Sequence, residues 1–286
     1  MAKLPAELLL ERETRVAYGP VPDRLFGGPL DEMTWQMEGG EFLLRAEGDH
    51  YFHYRPGAGI RIDRRDGADP SEESLWLNGT VYAAIASMNG LLPIHASAVA
   101  SDGQVFAFTG PAGAGKSTLV AGLGKFGLPM FCDDTLVLDL ADPDQVMCLP
   151  GHKRLKLRPD AFDLTAAVAE EKVSQTFDKY YAAPAAGTVG EALPIAELIF
   201  LEEGSDPALT RILGSERFAR MQDDHQTSWL FEAACRFDRS ETFAHRARLA
   251  RQIEMSRFTR PCDPARFDAG TLLVAQHITE RIAADA

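Results

Sequence analysis

Gly110-Pro111-Ala112-Gly113-Ala114-Gly115-Lys116-Ser117 places glycine, lysine and hydroxyl at the spacing G-x-x-x-x-G-K-[S/T]. It lies between an apolar strand-like run, Val105 to Thr109, and a helix-like run, Thr118 to Lys125. Glycines at that spacing let backbone N–H groups curl around a phosphate chain. Lys116 brings a mobile cation to the β and γ phosphates, and Ser117 offers a hydroxyl to Mg²⁺. The strand–loop–helix setting turns the string into a nucleoside triphosphate site, with ATP and Mg²⁺ as the expected cofactors and Gly110 through Thr118 as the nucleotide contacts.

Asp133-Asp134 follows one helix later, in the middle of the apolar run Met130 to Asp139. Adjacent carboxylates on an extended segment point to opposite sides, so one reaches a metal while the other faces an incoming nucleophile. Metal holder and base are the two carboxylate roles that recur in phosphoryl transfer.

His95 precedes the loop across the turn Ser101-Asp102-Gly103-Gln104. A hairpin folded at Asp102-Gly103 sets His95 level with Gly110, within reach of an active-site aspartate or a phosphate. Arg154, Lys156 and Arg158 recur at spacing two and would share one face of a strand, either to bind phosphate or an acidic peptide group or as a solvated edge protected by charge. Lys179, beside Asp178 in a loop, is a candidate mobile cation for the γ phosphate as the site closes.

The elements that must hold these groups read in two parts. Short alternating pieces from Ala17 to about Arg65, separated by Gly-Gly, Glu-Gly-Asp and Pro-Gly signals, predict a small β-rich unit over 1–70. Residues 71–286 then carry an apolar helix over Leu75–Met88, the hairpin, the loop, a basic segment from Pro150, a helical stretch from Ala161 to about Ser174 and an exposed loop around Asp178. A strand over Leu193–Leu201, helical stretches from Asp206 to Asp268 and an amphipathic final helix from Thr271 complete the expectation.

Composition narrows the partners. Hydrophobic residues make up 45% and charged ones 25%, as in ordinary globular chains, and the net charge is −13. Nucleic acid or an anionic membrane would call for a basic stripe, so neither is expected as a partner. The four cysteines, Cys132, Cys148, Cys235 and Cys262, lie far apart without metal-ligand spacing and read as reduced thiols. Glu7 and Glu11 bracket the short apolar stretch near the N-terminus, no Ala-x-Ala cleavage pattern follows, and no apolar run approaches the ~18 residues of a membrane span. A cytoplasmic location is the expectation.

His95-Ala-Ser, a short hairpin, Thr109-Gly-Pro-Ala-Gly-Ala-Gly-Lys-Ser-Thr and then Cys132-Asp-Asp resembles the catalytic domain of HPr kinase/phosphorylase. More narrowly, it resembles the bacterial HPr-kinase-related serine kinases found with modified-peptide clusters, including the lasso peptide tailoring kinases; the Pro150-Gly to Leu157 segment is similar to a stretch of that branch. The resemblance covers about residues 90 to 200. It implies an α/β fold with the phosphate loop on a mixed sheet of the HPr kinase C-terminal domain or PEP carboxykinase-like type. It implies Asp133 as general base, Asp134 as metal-side carboxylate with Ser117, and His95 and Lys116 as further catalytic residues. It also implies an ATP-dependent serine kinase acting on a peptide or small protein, with a homo-oligomer allowed. The Glu-x-Arg-Gly-Leu-Gly stretch of the HPr enzymes is missing, which directs the expectation to a peptide or other protein serine rather than HPr. A small-molecule phosphate-loop kinase and a nucleotide-gated binding protein without group transfer are the alternatives; about a hundred residues and a hairpin ahead of the loop count against the first, and a base beside the metal carboxylate against the second.

Overall fold

In a computed structural model, residues 3–25, 35–46, 48–65, 68–175, 177–221, 228–235 and 238–285 are described. Asp66 and Gly67 of the polar connector lie outside them. After helix α1 (Pro5–Glu13), the alternating segments pair as β1 (Val16–Tyr18), β2 (Trp35–Glu38), β3 (Glu41–Arg45), β4 (His50–Arg55) and β5 (Gly59–Arg64), in the order β1-β5-β4-β3-β2. Phe42, Phe52, Tyr54, Ile60 and Ile62 of this sheet are buried, but they do not close on a core of their own. They pack with Val81, Ile85, Val137 and Leu149, so apolar burial runs continuously across residue 70.

Asp69 caps α2 (Pro70–Trp76) by accepting a hydrogen bond from the Ser71 amide, with Pro70 at the first helical position. The helix passes through a π-helical turn, Leu77–Val81, into α3 (Tyr82–Met88). The apolar helix expected over Leu75–Met88 is therefore continuous but locally widened at Asn78-Gly79-Thr80.

The rest is built from β6 (Leu92–Ile94), β7 (Ala96–Ser101), β8 (Gln104–Thr109), α4 (Lys116–Leu123), β9 (Met130–Cys132), β10 (Leu136–Asp139) and β11 (Met147–Leu149). Then come β12 (Leu155–Leu157), α5 (Pro159–Phe162), β13 (Val168–Lys172), β14 (Tyr180–Ala183), β15 (Leu193–Glu203) and β16 (Ala208–Arg211). Helices α6 (Ser215–Arg220), α7 (Ser228–Cys235) and α8 (Arg239–Gln252), strand β17 (Met255–Arg260) and helix α9 (Phe267–Asp285) close the chain. The central sheet runs β6-β10-β11-β15-β8-β7-β9, with β17 added to β15 and β16 to β17. β8, β15 and β17 are mutually parallel and the remaining neighbours antiparallel. β12, β14 and β13 form a separate three-stranded sheet. The chain is thus a mixed α/β protein with a mixed central sheet around the phosphate-loop sequence. Among the described residues, no helix is long and apolar enough to cross a membrane.

Two stretches differ from expectation. Ala161–Ser174 holds only the end of α5 before turning into strand β13, although Ala-Glu-Glu-Lys favours helix locally. Pairing with β14 and ion pairs from Arg154 to Glu170 and Glu171 hold that segment extended. Within the stretch Asp206–Asp268, β17 is a fully paired strand whose Arg257 is neutralised by Glu202 and Glu216.

Helices α4 and α9 pack closely because Gly122 has no side chain: a Cβ there would lie 2.7 Å from Phe267 Cζ and 3.2 Å from Thr271 Cγ2. Gly122→Val is expected to destabilise the fold by about 1–3 kcal/mol through overpacking. Urea unfolding checks this as a lowered midpoint at unchanged slope; a wild-type midpoint would contradict the contact.

Candidate active site

The hairpin β7–β8 turns on Asp102 and Gly103, whose φ of 46° and 71° suit a two-residue primed turn. The register that follows pairs Ala96 with Thr109 and brings His95 beside Gly110, as the spacing predicts. Gly115, at φ 80°, forms the N-cap of α4, a conformation that a side chain would strain. The free N–H groups of the first turn of α4 open into the loop and present its positive dipole end to an anion. Lys116 is buried, and its ammonium donates to the carbonyls of Gly110 (2.9 Å) and Pro111 (3.1 Å). Burial pulls this ammonium down to about 8, against the attraction of Asp133 and Asp134, with Lys179 adding to the fall.

The two aspartates occupy different settings. Asp133 is 1% exposed. Its Oδ1 accepts from Ser97 (2.6 Å) and Ser117 (2.7 Å), and its Oδ2 accepts from the backbone N–H of Lys156 (3.0 Å). Asp134 lies past the end of β9 at φ 74°, so the pair sits in a bend between β9 and β10 rather than on the continuous extended run expected. Its Oδ2 takes Lys156 Nζ at 2.7 Å and its Oδ1 stands 3.5 Å from His95 Nδ1, while that nitrogen also lies 2.9 Å from the Asp134 carbonyl. Burial pushes the Asp134 carboxyl up, but Lys156, through charge and hydrogen bond, and then His95 and Lys179 outweigh it and hold it at about 2. His95 is shifted below the ordinary range, by burial first and Lys116 second, against the pull of Asp134 and Asp133, which favours a neutral imidazole.

The basic segment does not present one cationic face. Leu155, Lys156 and Leu157 are all buried, because β12 packs its leucines into the core beneath α4 while Lys156 turns inward to Asp134. Arg154 stacks on Tyr181 and pairs with Glu170 and Glu171, away from the aspartates. Arg158 is exposed at the start of α5. Lys179 is exposed and near enough for its charge to be felt at Lys116 and Asp134. Lys153, the first cation of the basic segment, donates to the Phe131 carbonyl, and burial pulls its ammonium down to about 8.

Sequence reading misses two contributors. Ser97 stands two residues from His95, so strand alternation places both on one side of the hairpin, a signal present in His95-Ala-Ser. Arg260, at the end of β17, donates to the Ala114 carbonyl from 146 positions away, with no local pattern to mark it. Among the described residues no group of three or more His, Cys, Asp or Glu is placed to hold a metal. Ser117 Oγ and Asp133 Oδ1 nevertheless give two hard oxygens side by side, a donor set that suits Mg²⁺ completed by water and phosphate oxygens.

No protein-family model matches the sequence, and no curated protein matches it. Among solved structures, the chain is similar to the HPr(Ser) kinase/phosphatase from Coxiella burnetii at 13% identity and a TM-score of 0.35, over 68% of this chain and 99% of that one.

Because burial lowers the Lys116 ammonium to about 8 and a bound polyphosphate would raise it, Mg-ATP binding above that pH is expected to take up a proton. Calorimetry of Mg-ATP binding in buffers of different ionisation heat should show uptake approaching one proton at about pH 9 and little at pH 7. Lys116→Arg should abolish the uptake, since an arginine stays charged throughout. Equal uptake in that variant would assign the proton elsewhere.

Proposed function

We propose that the chain is an ATP- and Mg²⁺-dependent kinase that transfers the γ-phosphoryl group to a serine of a peptide or small protein, a ribosomally made precursor peptide such as a lasso precursor being its narrower form. The observation that carries this reading is the division of labour between neighbouring carboxylates. Asp133 is hydrogen-bonded to the hydroxyl that follows the loop lysine, while Asp134 faces outward between Lys156 and His95. Mg²⁺ bound at Ser117 and Asp133 would neutralise charge on the phosphate oxygens. Lys116 sits where it can leave the loop carbonyls for a phosphate, and the loop amides and the N-terminus of α4 complete the cradle.

This geometry favours exchanging the two roles expected from the sequence. Its hydrogen bonds to two serines, one of them the hydroxyl after the loop lysine, and to a backbone amide suit Asp133 to the metal side. Asp134 is the freer carboxylate, placed to accept a hydrogen bond from the acceptor hydroxyl and to take its proton. A carboxylate held at about 2 is a weak base, so it serves a loose transition state, in which positioning counts for more than proton abstraction. Neutral His95 and cationic Lys156 fix the direction of that carboxylate.

The second carboxylate also favours group transfer over a nucleotide-gated binding protein, which needs only the metal-side one. Support for a peptide serine over a small molecule comes from His95-Ala-Ser, the loop and Cys-Asp-Asp, the motifs that carry the sequence resemblance and that meet here. Arg154 is already neutralised by Glu170 and Glu171, so this reading includes no demand for an acidic residue beside the target serine.

Asp134→Asn is expected to keep Mg-ATP affinity within a few fold and to cut turnover by about 10²-fold or more. Asp133→Asn should lose Mg²⁺-dependent nucleotide affinity as well as turnover. Calorimetry and mass spectrometry of serine peptides incubated with enzyme and Mg-ATP check both. The opposite pattern would restore Asp133 as the base, and tight Mg-ATP binding with no acceptor ever phosphorylated would favour the gated binding protein.

A further inference from the structure

Two of the segments that flank the outward carboxylate also line a cavity. Asn78 precedes Gly79, where a Cβ would stand 3.4 Å from Asp134 Oδ2, and a Cβ on Gly151 would lie 3.0 Å from the carbonyl of Thr135, the residue after Asp134. Asn78 and Gly151 both line a cavity of about 250 Å³, together with Thr14 and Ile60 from the N-terminal part and with Tyr82 and His152. Among the described residues, none of the phosphate loop lines it. The space is below the range of about 300–1,000 Å³ typical of drug-sized pockets, and so suits one side chain of a larger ligand.

The polar groups that line this cavity are uncharged. His152 Nδ1 lies 3.1 Å from the Arg154 carbonyl, which only accepts, so this nitrogen carries a proton and donates. Burial first, and Lys156 second, hold the imidazole below its ordinary range and favour the neutral ring, whose Nε2 then keeps its lone pair. Asn78 Nδ2 donates to the Ser74 carbonyl, which leaves the Oδ1 of the same amide to accept. Burial pushes the Tyr82 phenol up, so its hydroxyl stays protonated. Two acceptors and a hydroxyl complement a primary carboxamide, whose NH₂ donates twice and whose oxygen accepts. A carboxylate would find no cation among the lining residues and an ammonium no carboxylate, and either is costly to bury unpaired.

We infer that this cavity reads an asparagine or glutamine within two positions of the target serine, with Asn78, Tyr82 and His152 as the specificity-determining residues. The inference rests on the phosphotransfer reading above and gives its acceptor a sequence requirement. The position follows from reach: the segments that line the cavity also touch Asp134 or its neighbour, and two residues of extended peptide span about 7 Å.

A positional-scanning library of serine peptides, in which each position from three before to three after the serine is fixed in turn, would be incubated with the full chain and Mg-ATP and read by mass spectrometry. At one position within two residues of the serine, Asn or Gln is expected to raise phosphorylation about tenfold over Asp, Glu, Lys or Leu, the size of a buried hydrogen-bonding group left unpaired. Asn78→Asp places a carboxylate in the cavity and should move that preference toward Lys. Should this variant fail to fold, Tyr82→Phe removes only a hydroxyl and should reduce the amide preference severalfold. Phosphorylation with no amide preference within two residues of the serine would overturn the assignment and leave the kinase reading standing. The same holds for a preference that Asn78→Asp does not move toward Lys, or that Tyr82→Phe in its place leaves unchanged. Phosphorylation of no peptide at all would remove the serine-kinase reading and this inference with it.

Discussion

The carboxylate of Asp133 is where the site is tied together. At 1% exposure it is a charge taken out of water, and a buried carboxylate left short of partners costs several kcal/mol. Its partners come from three elements that are remote in sequence: Ser97 on β7, Ser117 on α4 and the backbone of Lys156 on β12. Each element is therefore held to the others by the need to satisfy one anion. The backbone amide fixes where β12 lies, and with it the side chain of Lys156, which reaches Asp134. A change that loosened Asp133 would move the loop helix, the hairpin and the second carboxylate together.

Around this node the charges are arranged for an anion. Lys116, Lys156 and Lys179 are three cations set against the two carboxylates Asp133 and Asp134, with His95 biased toward neutrality. Three ammonium groups thus meet two carboxylates here, in a chain whose net charge is −13. An anionic ligand entering the site meets amides and ammonium groups already aimed inward, which costs little reorganisation at the moment of binding.

How much of this is legible in the sequence depends on whether the deciding contact is local. The loop, its helix and the level of His95 against Gly110 all follow from spacing, because a two-residue Asp-Gly turn fixes hairpin register. The acidic pair is legible as a pair, but not which member faces which way, because strand alternation holds only for extended backbone and Asp134 sits at φ 74°. Strand alternation at Arg154, Lys156 and Arg158 misleads for a related reason: β12 is buried on both faces, and Lys156 is tolerated inside because Asp134 awaits it. β13 and β17 were hidden by helix-forming and arginine-rich composition, and only their ion pairs to Arg154, Glu202 and Glu216 show how those charges are accommodated on strands.

The conformation of Asp134 connects the site to the N-terminal sheet. Positive φ is more accessible to aspartate than to most side chains, and here it is what sends two consecutive carboxylates in different directions. Space for the second one is provided by Gly79, where a Cβ would stand 3.4 Å from Asp134 Oδ2. Gly79 belongs to the π-helical turn between α2 and α3, the kind of helix defect that often accompanies functional sites. That turn is held by Val81 and Ile85, which pack into the same core as Phe42, Phe52 and Ile60 of the five-stranded sheet and Val137 and Leu149 of the central one. The N-terminal sheet thus supports the wall against which the outward carboxylate rests, and its burial across residue 70 is part of how the site keeps its shape.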